Sequence, residues 1–160
     1  MAKEEMLQRL QEERQRFLQA LEGLSDEQLC QPNAVGKWSI KDVLGHLADW
    51  ERMFMEEVVR VREEEPPVEP WREGIDRLNA KLAAKKKDLP LDHIMEEFFR
   101  VRRELINTIE SLPEEALPRN VSVHRQRRNV EWYVAEAWKH DQEHLPDILA
   151  WQRKRETTRA

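Results

Sequence analysis

Two histidines, His140 and His144, stand four residues apart in a chain of 160 residues that holds five histidines in all. On a helix that spacing puts both imidazoles on one face, a turn apart, where they can share a single metal ion. Two half-buried histidines with ordinary partners would show the same spacing, so the pair by itself leaves both readings open. Three features favour the metal. Both residues interrupt an apolar stripe (Tyr133, Val134, Ala137, Ile148, Trp151) and so face the core, where an unpaired imidazole is costly. Glu136, Asp141 and Glu143 stand close by, as carboxylates that can hold a ligand ring in one tautomer. Pro146 removes a backbone donor two residues past His144 and should free the carbonyl of Gln142, although a tolerated kink explains it equally.

A third ligand has to come from another element. His46 is the candidate, at the edge of the stripe Ile40, Val43, Leu44, Leu47, Trp50, Phe54, Val58 and Val61; on spacing alone it reads more simply as a boundary histidine. His93, at a helix start, and His124, in a basic loop, read as surface residues. Three neutral imidazoles would leave a divalent ion its full charge and an open position. Such a centre can bring the pKa of bound water towards ~7, bind a thiolate or polarise a carbonyl.

The elements that must position these residues are helices. Charged residues make up 37% and hydrophobic residues 39%, with only four glycines, a balance that favours amphipathic helices with solvated outer faces. Leu7, Leu10, Phe17, Leu21 and Leu24 mark a first helix from Lys3 to about Gly23, with Arg14 as its one polar interruption. A second starts near Ser39, where Asp42 three residues on completes a variant of the capping box. Pro66 and Pro67 end it, and a linker runs to about Trp71. A short helix over 74–87 should turn Ile75, Leu78 and Leu82 inward. A third long helix follows from about Asp92, with Ile94, Phe98, Val101, Leu105, Ile109 and Leu112 on one stripe. After a polar, proline-broken stretch in which only Val121-Ser122-Val123 hints at extended chain, a last helix starts at the N-cap Asn129 and runs to about Arg155. Four long stripes bury one another most economically as an all-α, up-and-down four-helix bundle forming one domain over residues 1–160.

The formal net charge of −5 argues against a general nucleic-acid partner, which needs a basic field to displace counterions. With one cysteine, Cys30, no intrachain disulfide can form. The charged amino-terminal run and the lack of any stretch near the ~20 apolar residues of a membrane span point to a cytoplasmic protein without membrane contact. Leu18 and Met53, off the main stripes, suggest a second apolar face and a homodimer.

The second helix and its lead-in, Gly36-Lys37-Trp38-Ser39-Ile40-Lys41-Asp42-Val43-Leu44-Gly45-His46-Leu47-Ala48-Asp49-Trp50-Glu51, resemble the signature of the DinB-like superfamily (DinB/YfiT-like metalloenzymes). In that family a Trp-Ser/Thr pair opens a helix bearing the first metal histidine, closely followed by a Trp-Glu pair. Its other two ligands form a His-x-x-x-His on the last helix, matched here by His140-Asp141-Gln142-Glu143-His144. The Leu-Ser-Asp-Glu-Gln-Leu turn (24–29) and the Ser-Leu-Pro-Glu-Glu-Ala-Leu turn (111–117) extend the likeness over essentially the whole chain. The middle section, Ile75-Asp76-Arg77-Leu78-Asn79-Ala80 with Pro90-Leu91-Asp92, resembles the ClbS/DfsB branch.

The resemblance implies a four-helix bundle, often dimeric, with a nickel or zinc ion on His46, His140 and His144. The function to expect is a metal-dependent hydrolase or thiol S-transferase acting on a small electrophilic compound, with a thiol as a cosubstrate in the second case. Asp141 or Glu143 would orient a ligand ring or act as base, and Trp38 and Trp50 would wall the substrate pocket. The alternative is a non-catalytic bundle that binds a small molecule in a stress response.

Overall fold

The computed structural model describes residues 1–158. Four long helices dominate: α1 (Lys3–Leu21), α3 (Ile40–Arg62), α5 (Leu91–Glu110) and α6 (Val130–Thr158). A single turn, α2 (Asp26–Leu29), and a short helix, α4 (Ile75–Lys86), lie in the connections. The 121–123 segment is indeed extended, as strand β1 (Val121–Val123), and pairs antiparallel with β2 (Gln126–Arg128) through a two-residue turn.

Local signals set the boundaries. At α3 the Ser39 hydroxyl accepts from the Asp42 amide at 3.0 Å while the Asp42 carboxylate accepts from the Ser39 amide at 2.9 Å. The Asn129 side chain caps α6 by accepting from the Trp132 amide at 2.9 Å. α1 ends two residues before Gly23, whose φ of +79° suits the reversal that follows.

The four long helices form the expected bundle, with α4 as the extra helix between the second and third. Their directions depart from a simple up-and-down course. Met1 bonds Glu131 and Gln152 bonds the Ala20 carbonyl, so α1 and α6 run parallel. Gly45 lies near Ile94, and Glu51 pairs with Arg102, so α3 and α5 run parallel as well. The two pairs oppose each other: Lys3 reaches the Glu110 carbonyl and Arg102 the Leu10 carbonyl. The physical reason is the long connection from Glu63 to Pro90, which carries the chain back to the end where α3 began.

Two apolar clusters make up the core. One holds Met6, Leu10, Phe54, Val58, Leu105, Ile109, Tyr133 and Val134; the other holds Phe17, Ile40, Val43, Leu44, Ile94, Phe98 and Ile148. Each long helix contributes one member of a buried ion-pair ring: Arg14, Glu51, Arg102 and Asp141. Asp141 accepts from Arg14 at 3.0 and 3.3 Å and from Arg102 at 3.1 Å. Glu51 accepts from Arg14 at 3.1 Å and also from Arg102. Two positive and two negative charges cancel, and the spare guanidinium donors reach the carbonyls of Phe98 and Leu10. A buried ion-pair ring of this kind adds little net stability over apolar packing, but losing one member leaves an uncompensated charge. It therefore pins the register of all four helices.

A second polar group fastens the connection before α4. Glu69 holds a left-handed backbone (φ +42°), and its buried carboxylate accepts from the Tyr133 hydroxyl at 2.7 Å and Arg128 at 2.9 Å. Ile75 is 54% exposed rather than inward, while Leu78 and Leu82 pack partly buried against the first cluster. Met53 is buried in the core and Leu18 packs half-buried against the second cluster, so neither supplies a free apolar face.

Candidate metal centre

His46 lies on α3 two turns after its capped start, and its helix runs opposite to α6, which carries His140 and His144. The Arg14–Glu51–Arg102–Asp141 ring holds those two helices in register, since Glu51 is five residues from His46 and Asp141 adjoins His140. As a result three imidazoles converge. The Nε2 of His140 is 2.9 Å from that of His46 and 3.2 Å from that of His144. The ring centroids form a near-equilateral triangle, with sides of 4.7, 5.0 and 4.9 Å.

Neutral imidazole has one N–H and one lone pair, so the Nε2 of His140 can serve only one of its two neighbours in a hydrogen bond. A shared cation satisfies all three lone pairs at once. Nitrogens bound at about 2.0–2.1 Å to a tetrahedral ion lie about 3.3 Å apart, close to the separations seen. Burial favours the required protonation state. It holds His140 down to about 2 and His46 to about 3, with neighbouring imidazoles adding to the effect, and it lowers His144 too. All three rings are therefore neutral at pH 7 with their lone pairs free. On donor type, spacing and protonation, the residues present fit a divalent ion, and among the described residues this is the one such group of three or more.

The histidines border a cleft of about 380 Å³. Trp38 packs on His46 with centroids 4.8 Å apart, and Trp50 lies 6.0 Å from His140. Both tryptophans line the cleft, as does Glu143, which makes no hydrogen bond or ion pair among the described residues. Asp141 does not reach it. One residue past His140 is 100° round the helix, and there its carboxylate is taken up by Arg14 and Arg102. Its placement corrects its reading as base or ring-orienting acid. Among the described residues the buried His144 Nδ1 has no partner, so the expected ring-steadying acid is not found there.

Other lining residues escaped the sequence reading. Phe54 reads from the sequence only as a stripe residue and Ile75 as an interior one, whereas both border the cleft with Glu136 and Asn79. The Asn79 side chain accepts from Trp50 Nε1 at 2.7 Å, tying α4 over the site. Trp71 stacks on Trp50 at 5.6 Å. Nothing in residue type or spacing marks Asn79, because its partner lies 29 residues away on another helix. A third polar tie ends α4, where Lys86 reaches Asp49 at 2.8 Å, Glu97 at 3.0 Å and the Gly45 carbonyl at 3.2 Å.

Fold and site together define a helical bundle built around a three-histidine candidate metal centre. The sequence pattern of the DinB superfamily matches residues 9–148, and the chain belongs to that superfamily. Among solved structures it is similar to YfiT from Bacillus subtilis, with 19% identity, a TM-score of 0.69, and coverage of 95% of this chain and 86% of that one. YfiT is described as a probable metal-dependent hydrolase with an unusual four-helix bundle topology; at this identity the likeness establishes the fold. No curated protein matches the chain. Among the described residues no helix is long and apolar enough to cross a membrane.

Proposed function

We propose that the protein is a metal-dependent enzyme of the hydrolase or thiol S-transferase type, acting on a small electrophilic compound in the cleft. The observation that carries this reading is the convergence of three neutral Nε2 atoms at the edge of an aromatic-walled cavity. His46, His140 and His144 would hold nickel or zinc. Such an ion, when bound, supplies Lewis acidity and lowers the pKa of water or a thiol.

The chain's own residues do the rest. Glu143, on the cleft wall and unpaired among the described residues, would take a proton from the attacking water or thiol. Trp38 and Trp50 exclude water and hold a flat apolar substrate. Asn79 fixes the plane of the Trp50 ring through its 2.7 Å bond. A thiol cosubstrate belongs to the transferase form of the proposal, and a homodimer rests on the family resemblance now that Leu18 and Met53 are accounted for within one chain.

The test is a screen of activated esters, epoxides and alkylating aromatics with zinc- and nickel-loaded protein, with and without a low-molecular-weight thiol, beside Glu143→Gln. Turnover that needs the ion and falls roughly 10²–10⁴-fold in the variant supports the reading. Metal-loaded protein that binds such compounds without converting any of them would leave a non-catalytic small-molecule-binding bundle.

A further inference from the structure

We propose that the cleft selects substrates that carry a positive charge beside a flat apolar body, and that Glu136 is the residue that selects the charge. This rests on the reading of the cleft as a substrate site. Because α3 and α6 run antiparallel, the cleft has two distinct ends. One is set by His46, His144 and Trp38, and the other by Trp50, Phe54, Ile75 and Glu136. Glu136 precedes His140 by one turn and His144 by two, about 6 and 12 Å along the helix axis. A group held at Glu136 therefore lies apart from the histidines yet within the span of one small molecule.

The second end is built for a cation with an apolar body. Trp50 and Phe54 line this end 5.9 Å apart, backed by Trp71 at 5.6 and 5.4 Å, and the aromatic surface that reaches the cleft attracts positive charge. Ile75, more than half exposed despite its size, supplies an apolar lip. Every charged residue lining the cleft is a carboxylate; Lys and Arg are absent from the lining among the described residues. Among the described residues Glu136 pairs with Lys139 alone, at 3.8 Å between side chains 32% and 55% exposed, and such a pair is weak enough for a ligand to displace. A substrate carboxylate at this end would face Glu136, and the cation nearest that carboxylate, Lys139, stands outside the cleft lining. A protonated amine would gain both the carboxylate and the ring faces.

The probes are 2-phenylethylamine, cationic at neutral pH, and 2-phenylethanol, its neutral counterpart of the same shape. Binding to the full chain is followed by calorimetry and tryptophan fluorescence, on metal-free and on zinc-loaded protein. The amine is expected to bind about tenfold more tightly than the alcohol in both forms. Glu136→Gln should bring the two within about threefold, while Glu96→Gln, an exposed carboxylate on α5, should leave the preference intact. An amine that binds no better than the alcohol, including binding of neither, overturns the proposal; so does a preference that survives in Glu136→Gln. Zinc that fails to bind while the amine preference stands would remove the metal chemistry and leave this selectivity. Zinc binding without the preference would do the reverse.

Discussion

Replacing Asp141 with asparagine removes one of the two negative charges in the buried ring while keeping the shape of the side chain. Asp141 accepts three hydrogen bonds, two from Arg14 and one from Arg102, and its side chain is 2% exposed. The variant leaves two guanidinium groups facing Glu51 alone, and the new amide points a donor where an acceptor is needed. Breaking a buried pair in this way costs about 3–5 kcal/mol. For a chain of this size that lowers the melting temperature by roughly 10 °C. Urea unfolding followed by circular dichroism and tryptophan fluorescence reads the loss directly. The double variant Arg14→Met/Asp141→Leu leaves a neutral Glu51–Arg102 pair and should recover much of it, so the two single costs would not add. A loss below about 1 kcal/mol would refute the ring as the element that fixes helix register. Folded Asp141→Asn protein should also keep its metal; full stability with loss of the metal would return Asp141 to the site.

Three further outcomes follow from the geometry. Unfolded, His46 and His140 titrate near 6.5, whereas folded they are held to about 3 and about 2. Between those values the unfolded chain binds more protons, so the metal-free protein should keep its full stability above about pH 6.5 and lose it as pH falls towards 3. His140→Ala should flatten that profile, and identical profiles for the two proteins would contradict the burial argument. Trp50→Phe removes the donor to Asn79, and none of the described α4 residues is fully buried. Hydrogen exchange should therefore speed up across α4 while α5 stays protected, and unchanged α4 exchange would show that the Asn79 bond does not hold the helix. Tyr133→Phe takes one of the two donors from the Glu69 carboxylate, whose other oxygen has no partner among the described residues. The cost should be about 1–3 kcal/mol in chemical unfolding, and a neutral variant would refute the importance of that bond.

The helices were legible because each long one carries an apolar stripe of the right period, and both the Ser39–Asp42 capping box and the Asn129 cap lie where the residue types put them. His140 and His144 were legible through their four-residue spacing, and His46 through the Trp-Ser and Trp-Glu pairs around it. The direction of the third helix was not, because stripe periodicity says nothing about which way a long linker returns the chain. Asp141 shows a related limit. Neighbourhood in sequence suggests a partnership with the histidines, and only the packing reveals that Arg14 and Arg102 claim it. Arg102 and Glu51 carried a readable signal, since each sits four residues after one core position (Phe98, Leu47) and three before another (Leu105, Phe54). A charge at such a position calls for a buried partner, and four helices each offering one charge form a neutral set. Asn79 and Ile75 carried no such signal, because their roles come from how α4 lies across α3.

The metal centre is tested most directly by elemental analysis of the purified, untagged protein after incubation with zinc or nickel and removal of excess ion, for wild type beside His144→Ala. The structure predicts about one divalent ion per chain in the wild type, and its loss from a variant whose helical circular dichroism is unchanged. Wild-type protein that holds no stoichiometric ion, or a variant that holds as much as the wild type, would contradict the three-histidine centre.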